Sequence, residues 1–278
     1  MTAAREYQFT RKDFEFLRRL SSQRTGIVVT DDKFDMFYSR LARRVRALGL
    51  QNFADYCDYL EQPAHDDELI ELVNALTTNL TSFFRENHHF DYLAERVLPE
   101  VAQRNRGARS LRLWSAGCST GEEPYSLAMV LAEQEKLLRG WDIEVLASDI
   151  DSNALAQASA GIYPLNRVEN LPRARLKRFL QRGRGAQQGK ARVRDNIRHY
   201  IRFEQINLME RLAVEKKDVI FCRNVIIYFD RVTKARLLDR FADHLVDGGY
   251  LFVGHSESLL QVTDRFELVG HTVYRKVR

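Results

Sequence analysis

The chain has 278 residues, 45% of them hydrophobic and 29% charged, a globular composition with length for one large or two modest domains. This excludes a mainly disordered or collagen-like chain. Its 43 basic and 38 acidic side chains leave a net charge of +5, too small an excess to indicate nucleic acid by itself. No apolar run approaches the roughly 20 residues of a bilayer span, and the start MTAAREYQFTRKDF has no apolar export core, so a soluble cytoplasmic protein is expected. Cys57, Cys118 and Cys222 lie far apart with no CxxC pair, which predicts buried thiols rather than disulfides or a zinc knuckle.

Apolar residues recur at helical spacing through the first third of the chain: Phe14, Leu17 and Leu20; Phe37, Leu41, Val45 and Leu48; Leu69, Leu72, Val73 and Leu76. Gly26, Gly49 and Pro63 fall between these groups, where breaks belong. Residues 1–85 are therefore expected to form a helical domain, and an amphipathic helix over 83–101 to join it to the remainder, 86–278. From Ser110 the pattern alternates strand and helix, as in a parallel α/β sheet covered on both faces. The expected order is a strand over 111–115, a helix over 122–138, a strand over 143–148 and a helix over 152–160. A buried strand over 219–222 follows, then a helix from Thr233 to Val246 stopped by Asp247, Gly248 and Gly249, and a strand over 250–253. The tail, 266–277, has two apolar runs suited to an antiparallel hairpin. Between the second helix and the Val219 strand, glycines at 183, 185 and 189 separate short alternating runs, predicting a small antiparallel insertion at about 167–205.

That insertion is also where positive charge collects. From Arg167 to Arg202 there are 12 Lys or Arg against two acids, Glu169 and Asp195, so an acidic partner is expected to dock there. A second cluster, Arg40, Arg43, Arg44 and Arg46, falls in a helical pattern with the first three on nearly one face. The alternative for this helix is a solvated face.

The segment WSAGCSTGEEPY, Trp114 to Tyr125, runs from strand through a small-residue turn into a helix, a geometry that lets a ligand approach the backbone. The helix opens with Glu122 and Glu123, which would repel a pyrophosphate. A cationic ligand such as S-adenosylmethionine suits it better than a dinucleotide. Asp149, at the end of the next strand, is placed to accept ribose hydroxyls, while Asp151 or Ser152 more naturally caps the following helix. Asn207 suits an adenine edge or a turn. Arg223 and Asn224 follow a buried strand at the carboxyl end, where open α/β sheets bind ligands.

Five segments in order, NLTSFFRENHHF (79–90), SAGCSTGEEPYSLA (115–128), ASDID (147–151), FCRNVIIYF (221–229) and GHSES (254–258), resemble the CheR family of chemotaxis protein glutamate O-methyltransferases. The resemblance covers nearly the whole chain. It implies an α/β, Rossmann-like S-adenosylmethionine-dependent methyltransferase sheet with an N-terminal all-helical domain and a small antiparallel β-subdomain. The cofactor pocket it implies comprises Asn79, Thr81, Arg85, Glu122, Asp149, Asn207, Leu208, Arg223 and Asn224, with the choice between Glu122 and Glu123 left open by their adjacency. No metal is implied, and the His88–His89 pair is read without one.

The implied reaction gives glutamate methyl esters on chemoreceptors and S-adenosylhomocysteine, in chemosensory adaptation. A glutamate is already ionised at neutral pH, so positioning rather than a general base is expected to carry catalysis, with Arg85 orienting the substrate carboxylate and Tyr228 hydrogen-bonding near the methyl. The resemblance further implies a monomer that docks receptor methylation helices through Arg40, Arg43, Arg44 and Arg46. It also suggests a receptor C-terminal peptide bound at the β-subdomain, with no nucleic acid and no membrane insertion. The alternatives are a methyltransferase acting on nucleic acid, which lacks a base-stacking motif here, and a non-catalytic adaptor, against which Arg85, Asn224 and Tyr228 weigh.

Overall fold

The computed structural model describes residues 5–278, so the first four residues of the expected helical domain lie outside the described residues. Four helices form where the apolar spacing predicts them: α1 (Arg11–Thr25), α2 (Phe34–Ala47), α3 (Phe53–Leu60) and α4 (Asp66–Leu76). The start of α1 is set locally by a capping box between Thr10 and Asp13. The apolar faces meet in a core of Phe14, Leu17, Phe37, Leu41, Val45, Phe53 and Tyr56.

The expected helix over 83–101 begins only at His88 and then runs without a break to Arg104, with a π-helical turn inside it. Phe84 and Glu86 adopt positive φ (53° and 56°), which turns the chain sharply before α5 (His88–Tyr92), a π-helical turn (Leu93–Val97) and α6 (Leu98–Arg104). Beyond it lie β1 (Ser110–Ala116), α7 (Glu122–Glu133), α8 (Glu135–Leu138), β2 (Asp142–Asp149) and α9 (Ser152–Ala160). The predicted helix over 122–138 is thus interrupted at Gln134, whose amide is shared between the Val130 and Leu131 carbonyls.

Next come β3 (Ile162–Pro164), α10 (Leu165–Val168), α11 (Arg173–Phe179), β4 (Leu180–Arg182), β5 (Lys190–Val193), α12 (Asp195–Arg198) and β6 (Ile201–Gln205). Strands β3, β5 and β4 form a separate antiparallel sheet in that order. Its core residues Tyr163, Val168, Phe179 and Val193 pack on Tyr125, Ala128 and Met129 of α7. The insertion differs from the expected 167–205 at both ends: its sheet begins at Ile162, and the alternating run ending near 205 is β6, which pairs in parallel with Val145–Asp149 of β2. An alternating run fits a half-buried edge strand of the main sheet as well as an insertion hairpin, which is why periodicity alone misassigned it.

The chain closes with β7 (Lys217–Phe221), α13 (Arg231–His244), β8 (Leu245–Phe252), β9 (Phe266–Gly270) and β10 (Val273–Lys276). The main sheet has the order β6-β2-β1-β7-β8-β10-β9, parallel except for the terminal β9–β10 hairpin, which the tail pattern predicts. Helix α13 stops two residues earlier than expected. Val246, expected to end the helix, and Asp247–Gly249, read as its stop, instead bulge within β8, where the pairing with β7 shifts between Lys217–Leu245 and Val219–Tyr250. Adjacent residues of β1 serve opposite layers, Leu113 packing toward α7 and Trp114 toward α13. The strand order reverses at β1, which pairs with β2 on one side and β7 on the other, and this opens a crevice at the carboxyl ends of these strands. All three cysteines are buried and unpaired, as predicted. No helix among the described residues is long and apolar enough to cross a membrane.

Candidate active site

The crevice is a cleft walled on one side by the ends of β1, β2 and β7 and on the other by the helical domain, with Thr25, Val28, Lys33 and Thr77 among its lining. Several hydrogen bonds hold the walls together. The Val28 amide donates to the Tyr228 carbonyl at 2.8 Å, Asn207 Nδ2 donates to the Arg24 carbonyl at 2.8 Å, and Asn74 Nδ2 donates to Ser152 Oγ at 2.9 Å.

The β1–α7 turn supplies the floor. A Cβ on Gly117 would lie 2.5 Å from Val225 Cγ2, and its φ of 86° is strained for other residues, so glycine is required for this close approach. Glu122 and Glu123 then separate by role. Glu123 lines the cleft, accepting from Ser115 Oγ at 2.7 Å and from Arg223 Nη1 at 3.0 Å. Glu122 is fully buried away from it, paired with Arg167 and accepting from Thr120 Oγ1 at 2.6 Å. The assignment of Glu122 to the pocket is therefore corrected to Glu123: helical neighbours point about 100° apart, and the Arg167 side chain from the β-subdomain claims the first.

Asp149 ends β2 in the cleft, its oxygens accepting from the Ser119 amide at 2.7 Å and the Asp151 amide at 3.0 Å. Burial pushes its carboxyl above the usual range, and these amide bonds oppose the shift. Of the two caps anticipated for α9, Asp151 is the one that forms, through the Asn153 and Ala154 amides, and its other oxygen accepts from Thr77 Oγ1 at 2.6 Å and Asn79 Nδ2 at 2.7 Å. Asn79 Oδ1 in turn accepts from Ser119 Oγ at 3.2 Å. The segment entering from the helical domain is thus fastened to the floor just where Asn79 and Thr81 line the cleft.

Arg223 is buried between two carboxylates, Glu123 and Glu86, the latter at 3.1 Å, and also donates to the Arg85 carbonyl. Burial raises the Glu86 carboxyl, but the hydrogen bond from His255 and the Arg223 charge outweigh it and hold it down at about 2. Asn224 takes a left-handed φ of 58° and lines the cleft, and the half-exposed Tyr228 ends the turn that follows.

Arg85 reaches the cleft from a turn rather than a helix. The Phe84 amide is anchored on Ser126 Oγ at 2.9 Å, and Arg85 Nη1 donates to the Leu80 carbonyl at 2.8 Å, leaving its other guanidinium donors unengaged among the described residues. Leu208 is a buried wall residue. Asn207 also lines the cleft, but its side chain serves the turn: besides holding Arg24, its Oδ1 accepts from the Met209 amide at 3.0 Å. Of its two anticipated roles, the turn is the one its amide performs.

Residues 79–275 match the family model described as CheR methyltransferase, SAM binding domain, and residues 12–77 match CheR methyltransferase, all-alpha domain. The chain belongs to the CheR methyltransferase family. It is 45% identical over 273 residues to Chemotaxis protein methyltransferase 2 of Pseudomonas aeruginosa, covering 97% of this chain and 94% of the relative. It is also 46% identical over 264 residues to the Chemotaxis protein methyltransferase of Salmonella typhimurium, covering 94% of this chain and 88% of that one.

The cleft fits the S-adenosylmethionine of a CheR methyltransferase. Asp149 keeps lone pairs for ribose hydroxyls, Glu123 offers an anion to the ammonium of the amino-acid end, and Arg223 Nε is buried without a hydrogen-bond partner among the described residues. A metal fits less well. The ligand atoms of Glu86, His88 and His89 lie within 4.8 Å of one another, but the Arg223 guanidinium, 3.1 Å from Glu86, repels a second cation there.

Three of the four arginines expected to dock the receptor have partners within the helical domain. Arg40 caps α4, donating to the Leu76 and Thr77 carbonyls at 2.7 Å each. Arg44 forms a two-pronged pair with buried Glu68, and Arg46 pairs with Glu6. Only Arg43 of the four has no ion pair or side-chain hydrogen bond among the described residues, so α2 does not present the free cationic face that its sequence suggests. Residues that the sequence reasoning did not assign are Thr77, Glu86, Ser119 and Glu257. Glu86, Ser119 and Glu257 lie inside the family-like segments 79–90, 115–128 and 254–258, the signal that could have found them, whereas Thr77 lies outside all five.

Proposed function

We propose that this chain transfers the methyl group of S-adenosylmethionine to glutamate side chains on the cytoplasmic methylation helices of chemoreceptors, forming methyl esters in chemosensory adaptation. The observation that carries the reading is the convergence of Asp149, Glu123, Arg223 and Arg85 on one cleft in a chain 45% identical to a curated chemotaxis methyltransferase over 97% of its length. The bound cofactor supplies a methyl group made electrophilic by the sulfonium.

The protein's part is binding and alignment. Asp149 holds the ribose hydroxyls, while Glu123 and Arg223 address the ammonium and carboxylate of the methionyl end. Asn79, Thr81, Leu208 and Asn224 complete the walls. A substrate glutamate with an ordinary acidity near pKa 4.3 arrives as an anion, so no base has to remove a proton. The free donors of Arg85 bind one carboxylate oxygen and leave the other to attack, and the Tyr228 hydroxyl donates near the reacting atoms. The exposed position of Tyr228 at the cleft lip supports that role. Holding nucleophile and methyl near 3–3.5 Å in a dry site accounts for several kcal/mol of barrier lowering.

The β-subdomain supports a second contact. Its outer strands β3 and β4 each have one neighbour in the sheet, and Arg182, Arg184 and Lys190 line a groove beside them without ion pairs among the described residues. This suits an acidic receptor C-terminal peptide added as a further strand to a monomeric enzyme. Failure of every cognate receptor tail to bind in a peptide titration would remove this tether. The methyl transfer itself is tested with labelled S-adenosylmethionine and receptor-enriched membranes, followed by base-labile release. Label released by base from a receptor is the expected result, and absence of transfer by enzyme that binds the cofactor overturns the reading.

A further inference from the structure

Behind the cleft lies a buried carboxylate with no cation. Glu257 is 4% exposed and makes no ion pair among the described residues. All its hydrogen bonds come from main-chain amides: Oε2 accepts from Gly254 at 2.6 Å and Asn224 at 2.8 Å, and Oε1 accepts from Ile227 at 3.1 Å. Burying an unpaired carboxylate is costly, and placing nonpolar atoms there would avoid the cost. The cost is offset only by what the three amides do when they converge on one group.

Two of them belong to the segment that carries the chemistry. Asn224 sits at φ 58°, in the left-handed region that asparagine tolerates better than most non-glycine residues, and its amide is held by Glu257. Ile227 is the middle residue of the short turn Ile226–Tyr228, and the Tyr228 carbonyl in turn receives the Val28 amide from the helical domain. The third donor, Gly254, presses against the same segment: a Cβ there would lie 2.4 Å from Asn224 Nδ2. We infer that Glu257 is a positioning residue for methyl transfer, its carboxylate clamping the 224–228 turn so that Asn224 and Tyr228 face the cleft in one fixed arrangement. This rests on the methyl-transfer reading above.

The mechanism of the clamp predicts which replacements fail. Glutamine is isosteric, but one of its terminal atoms becomes a donor, so either the Ile227 amide or the Gly254 and Asn224 pair faces another N–H. A misplacement of about 1 Å in such a segment costs on the order of 100-fold in rate. The test uses the full chain carrying Glu257→Gln, Gly254→Ala, Tyr228→Phe, and the Glu257→Gln/Tyr228→Phe pair. It reads kcat and receptor KM, S-adenosylhomocysteine affinity, and amide hydrogen exchange.

Glu257→Gln should remain folded, lose at least about tenfold in kcat with little change in receptor KM, and exchange the Asn224 and Ile227 amides faster. In the double variant its loss should shrink, because a residue acting through Tyr228 has less to misplace once the hydroxyl is gone. Wild-type turnover in Glu257→Gln, or losses that simply multiply with Tyr228→Phe, overturns the inference. If Glu257→Gln does not fold, Gly254→Ala decides, since its Cβ displaces Asn224 while leaving the carboxylate in place, and unchanged turnover overturns the inference. A wild-type enzyme inactive on every receptor fails the methyl-transfer reading instead. The clamp is then judged by exchange alone, and unaltered protection at Asn224 and Ile227 in Glu257→Gln refutes it.

Discussion

The two arginine-rich regions look alike in sequence and are used in opposite ways. On α2, Arg40, Arg44 and Arg46 are consumed within the helical domain by carbonyls at the end of α4, by Glu68 and by Glu6. In the β-subdomain, Arg175 is held by Glu133 and Arg192 by Asp195, but Arg182, Arg184 and Lys190 have no acidic partner among the described residues. The difference follows from what surrounds each region. Arg44 meets Glu68 and Glu71 of α4, Arg40 meets the carbonyls at its end and Arg46 meets Glu6, whereas the insertion has almost no acids of its own. A cation count therefore measures available charge only after the carboxylates packed against it have been subtracted.

Arg85 sharpens this contrast most, because it spends one donor on a carbonyl and turns the rest into the cleft. Arg85→Ala should lose about 100-fold in kcat, equivalent to about 2.7 kcal/mol, while still binding S-adenosylhomocysteine measurably. Turnover at the wild-type rate would remove Arg85 from the mechanism. Arg44→Ala should act on stability instead. It strands Glu68, which is buried and keeps only the Tyr56 hydroxyl at 2.8 Å, and should cost about 2 kcal/mol in denaturant unfolding, below the value for a fully buried pair because Arg44 is partly solvated. A large rise in receptor KM without loss of stability would restore the docking role of α2.

The same logic reaches the buried charges behind the cleft. His89 is held down at about 4 by burial and then by the Arg223 charge, so the folded protein keeps it neutral where the unfolded chain, with an ordinary value near 6.5, takes up a proton. Stability is fully present above about pH 6.5 and is lost as pH falls toward 4. Glu86, held at about 2, extends the loss from about 4.5 downward. His89→Gln should flatten the upper part of this profile, and a curve parallel to wild type between pH 6.5 and 4 would exclude His89 as its source. The smallest effects belong to the free cations. Replacing Arg182, Arg184 and Lys190 by alanine should change stability by less than about 0.5 kcal/mol. It should weaken receptor-tail binding several-fold and flatten its salt dependence, as read by peptide titration at two ionic strengths. Equal binding by the triple variant would move the peptide elsewhere.

Much of the architecture was legible because it repeats locally. The four helices, the alternation from Ser110 onward, helix α9 and the final hairpin all follow from the period of apolar residues, and Asp151 reads as a cap from its place before α9. Most cleft residues were found because they lie at strand ends or inside continuous motifs. The errors share a cause: periodicity cannot say which partner a segment meets. The run that became β6 alternates as an insertion strand would, and the residues Asp247–Gly249 carry a helix-stop signal yet bulge inside β8.

Sequence order and residue type were sufficient for the family, the helical and α/β parts of the fold and the strand-end residues that line the cleft, since these depend on contacts between near neighbours and on motifs read in one piece. The tertiary structure alone decided which of Glu122 and Glu123 faces the cleft, which arginines remain free, and that Glu257 holds Asn224. Each of those outcomes turns on a charge meeting its partner across the fold: Arg167 reaches Glu122, Glu68 reaches Arg44, and the Gly254 segment carries a carboxylate to amides about thirty residues away. Burial makes such a meeting decisive, because an unpaired charge or amide in the interior is too costly to leave unmet.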